Sequence, residues 1–532
     1  MVKILSLFRK RHFRRRLERL RGARVLRNKK TPYFVENVLS NLSEIPLDLP
    51  IYGLPKTLIG VHETKGEMLI RQILLKNYYK MASKLIQCIG NGRSFVGPLP
   101  TSWINSLQSS GVNVDPYKSK LSLYQYSIFC LGKGVVKSIL MFLRFKRQNE
   151  YNKPYVVFLN LSKYNIPQIA SNKSYDIVTW YKESIVFDSS VEEIWAQVVD
   201  SESTSATKNL ILCESIFPKL KGPYQYALFL LKTVFAFMVA LFGIIRGKWW
   251  YGLLYDESVY ANYICLVERE SLAREYLFHN SYWLHKPLWV YEVEKRGSMG
   301  TLYFYSTNVE PIEYGGHKRA ITHGMKIMQW EKYWVWDDQQ KEYLQGLGHN
   351  KEYCVVGPID FSDNGKTIID NSDIFKIAVF DITPKRPTDH TKFGWAEPPY
   401  YSDKLMIQFL SDIGTVFANK GVQLMYKEKR TVDQVIFSKG TRKSRNIILK
   451  DYYKMVDPGI SAKRLIEHCD AVISMPFTAT SLIGINLGKP TAFYDPSATI
   501  QRNKSHEISV IKTFDQLKSW CDLLLKHHFT NE

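Results

Sequence analysis

The sequence predicts an α/β protein of two doubly wound, Rossmann-like domains, and three observations predict it. The last third of the chain alternates short apolar runs with amphipathic segments. Ile374 to Ile382, Val422 to Tyr426, Ile447 to Leu449, Ala471 to Ile473 and Thr491 to Tyr494 read as strands. Asp403 to Lys420, Ser461 to Cys469 and the stretch after Thr478 read as helices. Such alternation builds a parallel sheet covered by helices on both faces. Similar strand runs recur earlier, at Tyr155 to Leu161, Asn209 to Cys213, Pro287 to Glu294, Gly300 to Ser306 and Tyr353 to Val356. Finally, 532 residues are too many for one core, and 45% apolar with 23% charged residues describes a globular chain.

The most informative stretch is Ala471 to Pro496. Ala471, Val472 and Ile473 suit a buried strand, and Ser474-Met475-Pro476-Phe477 breaks it, because proline does not continue a central strand. Thr478, Thr480 and Ser481 stand where the next helix starts, and Gly488 followed by Pro490 ends that helix. A helix start offers unpaired N–H groups and a partial positive charge, to which these hydroxyls add donors, so the turn suits a phosphate. The alternative is that Thr478 and Ser481 only cap the helix.

Ligands of doubly wound sheets bind at the carboxyl ends of the strands. Asp381, the Lys427-Glu428-Lys429-Arg430 run and Ser474 to Ser481 all fall at such ends. The cations Lys427, Lys429 and Arg430 then join the hydroxyl turn around one anion; the alternative for that run is a solvated strand end. A long loop from Lys385 to Tyr401 follows the first strand of this domain, and long loops in compact domains tend to be functional.

Pro476-Phe477-Thr478 with its flanks D-A-V-I-S and G-K-P-T-A-F-Y-D-P resembles the signature of polysaccharide biosynthesis PFTS-motif proteins. More broadly it resembles the donor half of GT-B glycosyltransferases. The fourth motif position is Ala479 where serine is expected, so Thr480 or Ser481 would supply the missing hydroxyl. The resemblance spans Gly315 to Pro496. It implies two domains in a GT-B arrangement and metal-independent transfer from a nucleotide-sugar donor, CMP- or UDP-linked. The acceptor would be a growing surface polysaccharide, such as capsule or O-antigen, or a lipid-linked glycan. Donor-binding residues would be Lys427, Lys429, Arg430, Ser474, Pro476, Phe477, Thr478, Thr480 and Ser481, with Gly324 and Asp381 in the cleft. His323, read at the end of a strand, is the candidate base, because histidine titrates near neutrality and Gly324 permits close approach. The alternative is a phosphate-positioning or structural histidine. No cofactor and no metal site are expected. Two other enzyme readings, a polyol-phosphate transferase and a nucleotide-sugar epimerase, share the fold, and a degenerate membrane scaffold is the non-enzyme reading.

Net charge is +22, and thirteen of the Lys and Arg residues lie in the first 30 positions against the single acid Glu18. Phe13, Leu17 and Leu20 recur at helical spacing there, so residues 1–30 read as a basic amphipathic helix for an anionic membrane surface. The alternatives are a solvated arm and a nucleic-acid arm, and no zinc-finger, RNP or helix-turn-helix signature supports the latter. A second apolar run, Ala227 to Ile245, is interrupted only by Lys232 and followed by Arg246, Lys248, Trp249 and Trp250. It is long enough to span a bilayer. Strand candidates before and after it argue instead for an in-plane helical insertion over 222–252, or a plain buried helix. A further apolar, basic helix is expected over Ser122 to Arg147, whose end, Met141 to Arg147, touches a membrane or else packs on the domain. The seven scattered cysteines lack metal or disulfide spacing and suit a reducing compartment. The expected location is therefore the cytoplasmic face of the inner membrane. The domain division reads 31–365 for the acceptor side, 366–500 for the donor side and 501–532 for a terminal helix.

Overall fold

A computed structural model describes residues 30–47, 49, 53–143, 153–168, 173–199, 210–213, 215–281, 285–307, 313–314, 317–318, 323–348, 351–368, 372–382, 384, 402–428, 439–501 and 506–530. The basic segment before Lys30, the loop 385–401, Lys429 and Arg430 lie outside the described residues.

The first lobe begins with a helical layer: α1 (Lys30–Asn41), α2 (Lys56–Ile59), α3 (Gly66–Leu75), α4 (Tyr78–Gly90), α5 (Thr101–Ser109) and α6 (Pro116–Leu143). The sheet region follows as β1 (Tyr155–Leu161), α7 (Ile177–Glu183), β2 (Glu193–Val198), β3 (Leu210–Leu212), α8 (Pro223–Ile245), α9 (Trp250–Ile264) and β4 (Glu275–His279). It continues through α10 (Leu288–Lys295), β5 (Met299–Tyr303), β6 (Glu313–Tyr314), β7 (His317–Lys318), α11 (His323–Lys326), β8 (Lys332–Val335), α12 (Asp338–Gly346) and β9 (Glu352–Val355). The strands assemble in the order β3-β2-β1-β4-β5-β8-β9, all parallel. Strand β1 buries six of its seven residues, because helices cover both faces of the sheet.

The second lobe runs β10 (Phe375–Phe380), α13 (Asp403–Phe417), β11 (Val422–Lys427), α14 (Lys439–Tyr452), β12 (Tyr453–Val456), α15 (Ala462–Glu467), β13 (Ala471–Ser474) and α16 (Ala479–Asn486). It closes with β14 (Thr491–Tyr494), β15 (Ile500–Gln501), β16 (Ser509–Ile511) and α17 (Phe514–Thr530). Its sheet has the order β12-β11-β10-β13-β14-β16, again all parallel. Both sheets therefore grow outward from a central first strand, as the doubly wound reading requires. Helix α17 is part of this lobe: Leu517, Cys521 and Leu524 enter the core that holds Phe409 and Phe493. A short antiparallel ribbon, β15-β6-β7, ties the lobes together, and Asn165 Nδ2 donates 2.7 Å to Phe361 O at the linker.

Three local expectations are corrected. Pro287 to Glu294 is helix α10 rather than a strand; Leu288 through Val293 are all buried, so no polar face betrays the helical period. Ile447 to Leu449 lies inside α14, and the strand is Tyr453–Val456, whose outer residues only are buried. His323 opens the short helix α11 instead of ending a strand.

The apolar run 227–245 falls within α8, which starts cleanly: Pro223 sits at its first turn and Gln225 Oε1 accepts from Gly222 N at 2.6 Å. Strands β1–β3 precede α8, and β4 is hydrogen-bonded to β1 in the same sheet. Helices α6 and α8 are each long and apolar enough to cross a membrane by length and composition; a crossing by α8 with no returning segment would divide one hydrogen-bonded sheet between the two sides of a bilayer. Helix α9 lies beneath α6 and α8, packed close at glycine positions. A Cβ on Gly252 would come 2.4 Å from the Ser127 carbonyl oxygen, a backbone atom that no rotamer change relieves. Gly252→Ala is expected to cost about 1–3 kcal/mol through overpacking, read as a lowered denaturation midpoint with an unchanged slope.

Candidate active site

The two sheets present their carboxyl ends to a common cavity of about 750 Å³ between the lobes. Ser162, Tyr164 and Asn165 follow β1, Tyr305 and Ser306 follow β5, and Trp336 follows β8; these form the first-lobe wall. Opposite them stand Asp381 after β10, Lys427 at the end of β11, Asp457 to Lys463 after β12, and Thr478 to Thr480 after β13. The linker residues Asp360, Phe361 and Asn364 also line the cavity.

The turn after β13 is an array of alcohols. Thr478 Oγ1 donates to Ser474 Oγ at 2.8 Å, Ser474 Oγ lies 2.6 Å from Ser481 Oγ, and Thr478 Oγ1 lies 3.0 Å from Thr480 Oγ1. Thr478 occupies the N-cap position of α16, with φ −81° and ψ 144°, yet its hydroxyl caps no backbone N–H. Capping is thus not what fixes Thr478. Ser474 and Ser481 are wholly buried and hold the array from beneath, while Thr478, Ala479 and Thr480 face the cavity. The first N–H groups of α16 point into the same space by helix geometry.

Charge around the cavity is balanced among the described residues: Lys366, Lys427 and Lys463 accompany Asp360, Asp381 and Asp457. Lys366 Nζ holds Asp457 Oδ2 at 2.5 Å, and this hydrogen bond keeps the Asp457 carboxyl below its usual range. Lys463 Nζ holds Asp360 Oδ2 at 2.9 Å. Burial pushes the Asp360 carboxyl up, and Lys463 only partly opposes it. Asp381 is oriented by Tyr426, whose hydroxyl donates to Oδ2 at 2.6 Å. Behind Tyr426, the Arg445 guanidinium lies 5.7 Å from the ring centroid and pairs with Glu428. Glu428 is thereby turned into the lobe, while Lys427, its neighbour, faces the cavity.

The structure brings Asp381, Lys427, Thr478 and Thr480 to one cavity, with Ser474 and Ser481 as support. Phe477 is placed elsewhere: its ring packs 5.3 Å from Phe493 in the second-lobe core. Pro476 is not among the described lining residues, nor is Gly324, which is buried in the first lobe. Lys429, Arg430 and the side chain of His323 lie outside the described residues. Sequence reading missed Asp360, Asp457, Ser461 and Lys463. The signal was present: Asp457-Pro458-Gly459-Ile460-Ser461 is a second proline-broken turn that opens a helix, and Ser461 Oγ accepts from Arg464 N at 3.0 Å. It was hidden by the misplacement of β12. Among the described residues, no group of three or more His, Cys, Asp or Glu is arranged to hold a metal ion.

Two parallel doubly wound sheets that share one cavity at their carboxyl edges define a glycosyltransferase-like fold of GT-B type. Residues 229–521, more than half of the chain, match the family described as polysaccharide biosynthesis PFTS motif protein, and the chain belongs to that family. No curated protein matches the sequence. Among solved structures, the chain is similar to the wall teichoic acid polymerase TagF soaked with CDPG, at 9% identity and TM-score 0.38, covering 76% of this chain and 89% of that one. It is similar to an E. coli trehalose-6-phosphate protein bound with UDP-2-fluoro glucose, at 10% identity and TM-score 0.35, covering 70% and 91%. A third is the S. aureus MnaA–UDP co-structure, at 9% identity and TM-score 0.33, covering 70% and 88%.

Proposed function

We propose that the chain transfers a sugar from a nucleotide-linked donor, CMP- or UDP-linked, to a growing surface polysaccharide or lipid-linked glycan. One observation carries this reading: the alcohol turn, the start of α16 and Lys427 meet at one edge of a cavity whose other wall belongs to the second sheet. In the reaction the bond from the anomeric carbon to the phosphate oxygen breaks, and the departing nucleotide gains negative charge. Preoriented N–H and O–H donors with a cation stabilise that charge as it develops. On this reading the protein groups supply the stabilisation and the transfer needs no metal. The acceptor oxygen bonds to the anomeric carbon and gives its proton to a base. Asp360, whose proton affinity is raised by burial, joins His323 as a candidate for that role. Membership of a polysaccharide biosynthesis family supports the acceptor class.

The test is a thermal-shift series with CMP, UDP and GDP. At about 100-fold excess over Kd, a bound nucleotide adds about 2.7 kcal/mol to stability. At least one nucleotide is expected to raise the Tm by a few degrees. A flat response to all three would defeat the donor-site reading and favour the scaffold.

A further inference from the structure

We infer that α6 and α8 together form a membrane-docking surface, an antiparallel helix pair that lies flat on an anionic lipid bilayer. This inference stands independently of the transfer reaction. The sequence pointed to the 222–252 segment and, separately, to the end of the helix at Ser122 to Arg147; the structure pairs the two helices side by side.

The two helices run antiparallel. Phe142, near the end of α6, has its ring 6.4 Å from that of Tyr226 near the start of α8. At the opposite end, the Tyr124 hydroxyl donates 2.8 Å to Gly247 O, just beyond α8. Both helices pack on α9, of which eleven of fifteen residues are buried, so α9 is the inner layer. What α6 and α8 turn outward is apolar. Of the 29 large hydrophobics that are exposed among the described residues, sixteen lie on these two helices and the other thirteen are scattered over the rest of the chain. Phe129, Leu140 and Leu143 on α6 join Leu231, Phe235 and Phe242 on α8, and Leu231 is 66% exposed. Exposed apolar side chains clustered on neighbouring helices mark an interaction site.

Charge selects the occupant. Helices α6 and α8 contain Lys118, Lys120, Lys133, Lys137 and Lys232 and no acidic residue. Arg246 and Lys248 follow α8 directly, beside the Tyr124 end of α6. A second copy of the chain would bring like charges face to face, whereas anionic headgroups complement them. Penetration is shallow. The inner flank of α6 is tied to charged groups of α9, with Lys133 Nζ 2.5 Å and Lys137 Nζ 2.7 Å from the Asp256 carboxylate. Those pairs stay at or above headgroup level while the outward residues enter the acyl boundary, the geometry of an interfacial helix.

The experiment is flotation of the full-length chain with phosphatidylcholine vesicles, with and without 30% phosphatidylglycerol. Two double variants are compared with the parent, Phe129→Glu with Leu140→Glu on α6 and Leu231→Glu with Phe235→Glu on α8. All four positions are exposed, so the melting temperature should be preserved; serine versions of the same variants serve if it is not. The parent is expected to float with anionic vesicles, and each double variant to bind at least tenfold more weakly. Parent-level binding by either variant would overturn the inference, the lipid contact then residing elsewhere, as in the basic first 30 residues. No flotation of the parent, with a dimer that the glutamates dissociate, would overturn it in favour of a second copy.

Discussion

Thr478→Val combined with Thr480→Val is expected to lower transfer about 10³-fold while the fold survives. Removing one preoriented donor from a site of developing negative charge costs about 10²–10³ in kcat, and this pair removes two from the cavity wall. Valine keeps the shape of threonine, so the walls of the cavity stay in place. The structural cost is the lost bond from Thr478 Oγ1 to Ser474 Oγ and the lost contact between the Thr478 and Thr480 hydroxyls, about 1 kcal/mol each. Ser474 keeps its contact with Ser481 at 2.6 Å, so the base of the turn is not left unsatisfied. The readout is therefore a split: turnover collapses, and the Tm moves by a few degrees at most. Loss of Tm in proportion to loss of rate would make the array structural only.

Lys427→Met is the second large effect, expected at about 10²-fold in kcat. Lys427 ends β11 level with Phe380 on β10 and Val456 on β12, which sets it on the sheet's carboxyl edge, one strand in from the β12 side. Methionine preserves the stem and removes the charge, so the loss reports on charge stabilisation rather than on packing. Lys427→Arg should recover much of the rate, because a guanidinium still presents a cation to phosphate oxygens. Lys366 and Lys463 each hold a carboxylate of the cavity. A full-rate Lys427→Met enzyme would remove the lysine from the site.

Much of this arrangement was legible in the sequence, for a physical reason. Parallel strands covered on both faces are mainly apolar, so Phe375–Phe380 and Ala471–Ser474, buried at every position, stand out between polar turns despite Lys376 and Ser474. The alcohols of the β13 turn are legible because proline and hydroxyls mark where a strand gives way to a helix. What escaped notice escaped for equally physical reasons. Tyr453–Val456 is an edge strand with two exposed central residues, so it leaves no apolar run, and the Asp457–Lys463 wall went unseen with it. The six consecutive buried residues of α10 lack the polar face that separates helix from strand. The partnership of α6 with α8 depends on which sides α9 covers, a fact of packing that no one-dimensional pattern holds. Phe477, which motif membership drew toward the ligand, has its ring against Phe493 in the second-lobe core.

The most direct test is the position of a bound nucleotide in a structure of the complex. The phosphate that leaves with the nucleotide should lie within about 3.5 Å of Thr478 or Thr480 hydroxyls, with Lys427 Nζ on the same oxygens and the first-lobe wall across the cavity. A nucleotide seated away from the β13 turn, or one whose phosphates face solvent with Lys427 unengaged, would contradict the account.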